Sequence, residues 1–416
     1  MKLFLFIEYF CISVLALCVL SFLLLLVFAR KNKGRAPSLV NSGDSTRFTV
    51  LIPARNESRV IEDNLKAILH SRYPRENLKV YVIVESADDP TVEICSRYEG
   101  VEVFYRRDLS KAMKGYALDE CVKDIFARRE VSDAFIVLDA DNVVAPDFFS
   151  KMSDAYAAGY DAGAGRRNNK DWNSSVVSSA SALTFSAINT LQNKPKSDRG
   201  MNVMFSGTGF FVSYRVLSEL GGWPFASLTE DYEFSSFAVC SGLKTVYVEE
   251  AMYYDEQPTT LSQSIVQRTR WVRGFFHVRR AYGKARRELA RRSPKSRDVV
   301  VMKLGTVPLL AFAFDCILYI FSALAFMIAA AVTRSLSVSF YLNRLLFAAT
   351  LIYLAIILFT VFLFKKEGDA IDITDKNKFK TVLYHPFFLS TYVISAVRCL
   401  FVKDRWEVIE HTSGKK

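Results

Sequence analysis

The sequence predicts an α/β protein with an open, mostly parallel sheet and helices on both faces, joined to transmembrane and interfacial helices. Short apolar runs alternate with helical patterns between residues 48 and 141, and long uncharged apolar runs occupy residues 9–29 and 345–364. Strands separated by single helices are typical of a parallel sheet. An uncharged run of about 20 residues is long enough to cross a bilayer as a helix.

The first half of the sheet can be assigned strand by strand. Apolar runs predict strands at residues 48–52, 80–84, 101–105 and 135–138. The segments between them repeat apolar residues at helical spacing, including Ile61, Leu65 and Ile68, then Leu118, Val122 and Ile125. Because these runs are continuously apolar, the strands are expected to be buried on both faces, as in parallel sheets.

Carboxylates follow several of these strands. Asp139 and Asp141 end the fourth strand, while Glu85 and Asp88 follow the second. Ligands of parallel sheets gather at the carboxyl ends of the strands, so these acids are expected at one rim. Two hard oxygen ligands there suit a Mg²⁺ or Mn²⁺ ion that also holds a phosphate group. For Asp88 the alternative is structural, since acids before Pro90 also favour a helix start.

The charge pattern indicates a membrane protein. The net charge is +11, and the basic residues cluster beside apolar runs, so lipid head groups are expected partners and nucleic acid is not. Four basic residues follow the first run at 30–35, whereas only Lys2 precedes it, which places the following segment in the cytosol. The first run is longer than an ordinary signal-peptide core, so it predicts an anchor in the cell membrane. The seven cysteines are scattered without a Cys-x-x-Cys, which fits reduced thiols.

The same observations divide the chain into six segments. In order, they are an anchor (1–30), a linker (31–46), an α/β domain (47–260), a basic interfacial region (261–298), a transmembrane hairpin (299–366), and a cytosolic loop with an interfacial or re-entrant helix and tail (367–416).

Six short motifs carry a family resemblance. They lie at residues 53–57, 114–118, 139–141, 205–209, 229–231 and 267–271. Their types and order resemble those of membrane-bound family 2 glycosyltransferases, which include cellulose, hyaluronan, chitin and poly-N-acetylglucosamine synthases. The resemblance covers about residues 47–275 and implies a GT-A fold and a nucleotide-sugar donor, with UDP as the expected nucleotide. In one departure, Glu85 stands where the family often has Asp.

The resemblance also implies site residues. Asp139 and Asp141 would hold Mg²⁺ or Mn²⁺, and Asp231, with Glu230 beside it, would act as general base. The implied nucleotide-sugar-binding residues are Pro53, Arg55, Glu57, Glu85, Asp88, Lys114, Asp139, Gln267, Arg270 and Trp271. The implied acceptor-binding residues are Phe205, Ser206, Gly207, Thr208 and Trp271.

Structural alternatives exist for several of these residues. Residues 229–231 also fit an ordinary helix start capped by Thr229, and residues 205–209 also fit a tight turn beside the core. Lys114 alone could be a solvated side chain. In contrast, Gln267, Arg270 and Trp271 recur at helical spacing, so they are expected to share one face.

The function expected from the sequence is inverting transfer of a hexose or N-acetylhexosamine from a UDP-sugar to a growing polysaccharide, which gives a β-linked product. A first alternative is single transfer to a lipid acceptor, and a second is a non-enzymatic, basic, membrane-tethered binding protein. With a further apolar run at 307–332, the sequence predicts three crossings of the membrane. Three are few for a translocation channel unless protomers associate, so a homo-oligomer is also considered.

Overall fold

The computed structural model describes residues 2–31, 39–293, 296–333 and 338–402. Its chain forms two compact units, one from the described residues within 1–33 and 287–361, the other from those within 34–286 and 362–416. Parts of the predicted linker (32–38), of the basic region (294–295) and of the C-terminal tail (403–416) lie outside the described residues.

The secondary structure follows the predicted alternation in the first half of the second unit. The strands are β1 (Phe48–Pro53), β2 (Leu78–Val84), β3 (Val101–Tyr105), β4 (Ala134–Val137), β5 (Val143–Val144), β6 (Ala162–Asn169), β7 (Phe210–Ser213) and β8 (Thr245–Asp255). The helices are α1 (Lys2–Lys31), α2 (Ile61–Leu69), α3 (Pro90–Cys95), α4 (Lys114–Ala127), α5 (Phe148–Ala157), α6 (Val176–Ala187), α7 (Lys194–Ser197), α8 (Tyr214–Leu220), α9 (Glu230–Ser241), α10 (Leu261–Ala281), α11 (Gly283–Arg292), α12 (Arg297–Val332), α13 (Val338–Glu367), α14 (Asp375–Ser390) and α15 (Tyr392–Arg398). Short 3-10 segments lie at Arg75–Asn77 and Gly368–Ala370, and a π-helical segment at Ile188–Asn193.

The eight strands form one open sheet in the order β3-β2-β1-β4-β7-β6-β8-β5. Strand β1 pairs in parallel with β2 and β4, β2 with β3, and β6 with β8. The pairs β4–β7, β6–β7 and β5–β8 are antiparallel. The mostly parallel sheet is therefore confirmed, and the antiparallel strands are an addition that the apolar runs did not predict.

Helices cover both faces of this sheet, as predicted. Alternate residues of β1 belong to different cores, with Val50 and Ile52 in one and Leu51 in the other. The first core includes α2, α3 and α5, and the second includes α4, α8 and α9. Burial on both faces explains why the first strands are continuously apolar instead of alternating. The parallel direction of β1, β2, β3 and β4 brings their carboxyl ends to one rim.

The first unit is a group of long helices. Phe4 of α1 is fully buried, and its ring packs edge-on against Phe326 of α12 and Tyr341 of α13, with centroids 5.6 and 4.8 Å apart. Glu8 is buried and forms an ion pair with Arg344 at 3.4 Å, so α1 and α13 also share a polar contact. Aromatic pairs favour this edge-to-face arrangement, so these rings stabilise the packing of α1 against α12 and α13.

One described helix is long and apolar enough to span a membrane. It covers Val338–Ala370, which is α13 together with the short 3-10 segment after it. The last part of α12, Leu318–Val332, is a shorter apolar stretch. The predicted run at 345–364 lies within the first of these. The runs at 9–29 and 307–332 fall in α1 and α12, partly among side chains outside the described set, so crossing by them stays a prediction.

Candidate active site

The carboxyl ends of the parallel strands open onto a cavity of about 270 Å³, close to the lower limit of ligand pockets. Most of the residues singled out from the sequence line it together. They are Pro53, Arg55, Glu57, Glu85, Lys114, Asp139, Asp141, Ser206, Gly207, Glu230, Asp231, Gln267, Arg270 and Trp271. Residues far apart in the chain are thus brought to one place by the sheet.

The two acids after β4 are held differently. Asp141 is buried, and its Oδ1 accepts from the Asn142 side-chain amide at 3.1 Å while its Oδ2 accepts from the Glu256 N–H at 2.9 Å. The Asp139 side chain is 40% exposed and accepts from the Lys114 ammonium. Asp141 is therefore fixed by neutral donors, and Asp139 faces the open cavity.

Lys114, at the start of α4, links several parts of the cavity. Its Nζ donates to Asp139 and to the Gly207 carbonyl at 2.7 Å, and lies 3.9 Å from a Glu230 oxygen. Burial disfavours the charged ammonium, but Asp139 and Glu230 outweigh it and raise the pKa of Lys114 above its usual value. The solvated alternative for Lys114 is wrong, since its side chain is only 9% exposed.

The first turn of α9 carries two acids, the buried Glu230 and the half-buried Asp231, and both line the cavity. Burial raises the pKa of Glu230 to about 7, opposed by the positive charge of Lys114 and reinforced by Asp231. Burial also raises the pKa of Asp231, opposed by the Tyr232 N–H and by Lys114. The expected side-chain cap is wrong, because Thr229 occupies the cap position without a capping hydrogen bond.

Helix α10 presents two different faces. Gln267, Arg270 and Trp271 line the cavity, as their spacing predicts. The intervening Arg268 is 1% exposed and donates instead to the Phe388 carbonyl at 3.1 Å and the Thr391 hydroxyl at 2.8 Å. One face thus meets the cavity, and the other anchors the C-terminal helices α14 and α15.

A small residue lets α10 approach the start of α9. A Cβ on Gly274 would lie 2.3 Å from the Thr229 Oγ1 and 2.5 Å from its methyl carbon. Any larger residue at 274 would push the two helices apart. The absence of a side chain therefore sets the distance between the Arg270–Trp271 face and Asp231.

The acids after β2 need a correction. Asp88 is exposed and is not among the described residues that line the cavity, whereas Glu85 lines it. Glu85 is also held by two guanidinium groups, Arg55 at 3.1 Å and Arg106 at 3.4 Å. The adjacent Asp89 is a helix cap, accepting from the Thr91 N–H and the Asn56 N–H at 2.8 Å each. Polar residues that look alike in sequence are separated here into a cap and a cavity wall.

The segment at 205–209 also needs a correction. Phe205 is fully buried and packs against Phe234 at 4.8 Å between ring centroids, so it cannot contact an acceptor. Thr208 is 2% exposed, and its Oγ1 accepts from the Asp139 N–H at 2.8 Å. These two residues support the cavity from behind, and only Ser206 and Gly207 line it.

Further polar residues that sequence reasoning missed also line the cavity, among them Arg106, Arg167, Asp255 and Gln257. Arg106 lies directly after β3, and Arg167 lies within β6. Asp255 ends β8, three residues before Pro258. The available signal was a charged residue at or near a strand end, which is the same signal that identified Asp139 and Asp141.

The packing around Gly209 leaves no room for a side chain. Its φ is +66°, and a Cβ there would lie 2.0 Å from the buried Tyr253 ring. We expect Gly209→Ala to lower the free energy of unfolding by about 3 kcal/mol or more, because left-handed strain adds to steric overlap. Gly221→Ala is the matched control, with φ +69° and no atom within 4 Å, and should cost only about 1–2 kcal/mol. Equal losses in denaturant unfolding would contradict the packing argument.

The model of the glycosyltransferase like family 2 matches residues 46–274. The chain is 27% identical over 246 residues to the probable glycosyltransferase YdaM of Bacillus subtilis, a match covering 57% of each chain. It is 25% identical over 241 residues to the poly-beta-1,6-N-acetyl-D-glucosamine synthase of Staphylococcus aureus, covering 58% of this chain and 57% of the relative.

A solved structure is similar over nearly the whole chain. It is a mannosyltransferase from Pyrobaculum calidifontis in complex with GDP-Man and Mn²⁺, with a TM-score of 0.57 at 15% identity, covering 95% of this chain and 99% of that one. At this identity the likeness concerns the fold alone, and it supports the GT-A arrangement of the sheet. The alignment spans only 57% of the length of YdaM and of the synthase. The family match over more than half of the chain shows that this protein belongs to the glycosyltransferase like family 2.

Proposed function

We propose that this protein transfers a hexose or N-acetylhexosamine from a UDP-sugar to a growing polysaccharide, with inversion, at the cytosolic face of the cell membrane. One observation carries the proposal. The half-buried carboxylate of Asp231 and the cluster of Asp139, Asp141 and Lys114 line the same cavity. A base and a diphosphate site must lie this close together for a sugar to pass between them.

The residues present fit a divalent cation. Two carboxylates, Asp139 and Asp141, line the cavity at one strand end. The described residues hold no larger metal-binding group of three or more His, Cys, Asp or Glu side chains. Mg²⁺ is commonly held in this way, by one or two carboxylates completed by substrate phosphates. We infer that Asp139 and Asp141 hold Mg²⁺ or Mn²⁺, which would act as a Lewis acid toward the diphosphate leaving group.

The chain's own residues account for the remaining steps. Lys114 and Arg270 supply positive charge for the donor's phosphates, and Gln267 offers an amide on the same side of the cavity. Asp231 accepts the proton of the acceptor hydroxyl as its oxygen bonds to the anomeric carbon. The bond from that carbon to the diphosphate oxygen breaks on the opposite side. A single displacement without an enzyme nucleophile turns an α-linked donor into a β-linked product.

Two features support a membrane setting. The helix Val338–Ala370 is long and apolar enough to span a bilayer. Helix α11 has no buried residues and is rich in arginine, as expected of a helix lying on anionic head groups. We propose an integral membrane protein whose basic segment 261–298 faces the cytosol. Association of protomers would then be needed to form a wide channel.

The nature of the product is supported by a relative. The synthase of Staphylococcus aureus is named for poly-beta-1,6-N-acetyl-D-glucosamine, and the cavity residues lie within the matched family region at 46–274. Polymer formation is therefore proposed over single transfer to a lipid. A non-enzymatic, basic binding protein would leave the buried acids of the cavity without a role.

The proposed function is tested by turnover. Purified full-length protein in detergent is incubated with a panel of radiolabelled nucleotide sugars and Mg²⁺ or Mn²⁺, and both nucleoside diphosphate release and product size are measured. We expect release with a UDP-sugar and a polymeric product. A lipid-linked product carrying one sugar would replace polymerisation with single transfer. A folded protein that turns over no donor would contradict the enzyme proposal.

A further inference from the structure

We propose that Arg167 and Asp255 form a positioning pair for the base Asp231, by fixing the backbone segment Ser206–Thr208 against which that carboxylate packs. The inference rests on the proposed function, since it assigns Asp231 the role of base. It adds two residues of β6 and β8 to the machinery, neither of which lies in the six sequence motifs.

The orientation of Arg167 is fully determined. Its side chain is 11% exposed, and its Nε donates to the Asp255 Oδ2 at 2.8 Å, with Nη2 donating to the same oxygen. The guanidinium lies 3.6 Å from the centre of the Phe185 ring. Gln257 donates to the same Asp255 oxygen at 2.7 Å, so the carboxylate is held as well. The remaining nitrogen, Nη1, donates to the Ser206 carbonyl at 2.8 Å.

Three consecutive carbonyls of the segment Ser206–Thr208 are held by three different side chains. Ser206 accepts from Arg167 at 2.8 Å, Gly207 from the Lys114 ammonium at 2.7 Å, and Thr208 from the Tyr253 hydroxyl at 2.9 Å. The donors come from β6, α4 and β8. Loss of any one donor frees its carbonyl and loosens one side of this backbone.

The segment lies directly against the base. A Cβ on Gly207 would be 3.4 Å from the Asp231 Oδ2. A small shift of the Gly207 backbone therefore changes the space available to that oxygen. Because displacements near 1 Å in a reacting group can reduce rates by about a hundredfold, the position of Ser206 matters to catalysis.

The pair also sets the charge around Asp231. Burial raises the pKa of Asp231, while the positive charges of Lys114, Arg167 and Arg270 lower it, and Glu230 is the neighbouring acid on α9. Asp255 offsets part of the charge of Arg167. Removing Arg167 should thus raise the pKa of Asp231, and removing the charge of Asp255 should lower it.

The two substitutions are therefore expected to shift the pKa of Asp231 in opposite directions, and the experiment measures this difference. We compare Arg167→Met and Asp255→Asn in the full-length protein, measuring kcat, the donor KM and the acid limb of the kcat–pH profile. Both variants should lower kcat by about tenfold to a hundredfold with little change in donor KM. The acid limb should move to higher pH in Arg167→Met, because the base must be ionised to act, and to lower pH in Asp255→Asn.

Arg166→Met is the matched control. Arg166 is the neighbouring arginine of β6, and it pairs with Glu367 at 2.6 Å instead of lining the cavity. The Arg166→Met variant should lose stability without moving the acid limb of the kcat–pH profile.

Three results would overturn the inference, and one concerns only the proposed function. Unchanged kcat in both variants, acid limbs moving in the same direction, or the same shift in Arg166→Met would each overturn it. If Arg167→Met does not fold, the near-isosteric Asp255→Asn still gives the kcat and the direction of the limb. A wild-type protein that turns over no donor would instead defeat the proposed function.

Discussion

Asp231→Asn is expected to reduce kcat by about 10²- to 10⁴-fold, the usual contribution of a general base. Donor binding should remain close to that of the wild type. The amide keeps the shape of the carboxylate and can still accept from the Tyr232 N–H, which lies 2.7 Å from the Asp231 Oδ1. It cannot take a proton. Transfer is measured by nucleoside diphosphate release, and donor binding by calorimetry.

The neighbouring acid provides the control for this variant. Glu230→Gln removes a carboxylate from the same turn, but burial already raises the pKa of Glu230 to about 7, so much of it is neutral at that pH. Its loss of kcat should be smaller than that of Asp231→Asn. If Asp231→Asn loses donor binding together with transfer, Asp231 is a structural residue and the assigned base is wrong.

Asp141→Asn should weaken binding of Mn²⁺ and of a nucleoside diphosphate together, by about tenfold or more, or ~1.4 kcal/mol. The asparagine oxygen can replace one acceptor, but the negative charge that would attract the cation is lost. Calorimetry with nucleoside diphosphate, in Mn²⁺ and in a chelator, measures both effects. Asp88→Asn is the control, since Asp88 is exposed and outside the cavity lining, and it should bind normally. Wild-type binding that is equally tight in the chelator would contradict the role of Asp141.

The sequence by itself determined the first half of the sheet and the edge at which the cavity lies. Strands β1, β2 and β4 are buried on both faces. Strands buried in this way have continuously apolar sequences, which can be recognised without coordinates. Carboxylates directly after such runs, like Asp139 and Asp141, then had to lie at one rim. The helical spacing of Gln267, Arg270 and Trp271 likewise needed no tertiary information.

Only the tertiary structure decided the second half. Strand β6 reads Ala-Gly-Ala-Gly-Arg-Arg-Asn-Asn, without a β-branched residue. At Gly163 the reason is a neighbour from another strand, because a Cβ there would lie 2.4 Å from the Phe211 ring. Periodicity reports how deeply a residue is buried, but it does not report which partner buries it.

The same limit applies to the polar residues. Asp89 and Glu85 both follow β2, yet one caps α3 and the other lines the cavity. Arg167 meets Asp255 across 88 positions of chain, so their pairing leaves no local pattern. The local sequence determined where apolar surface had to be buried and where acids had to emerge. Long-range packing alone decided which of those acids caps a helix, which pairs with a cation and which lines the open cavity.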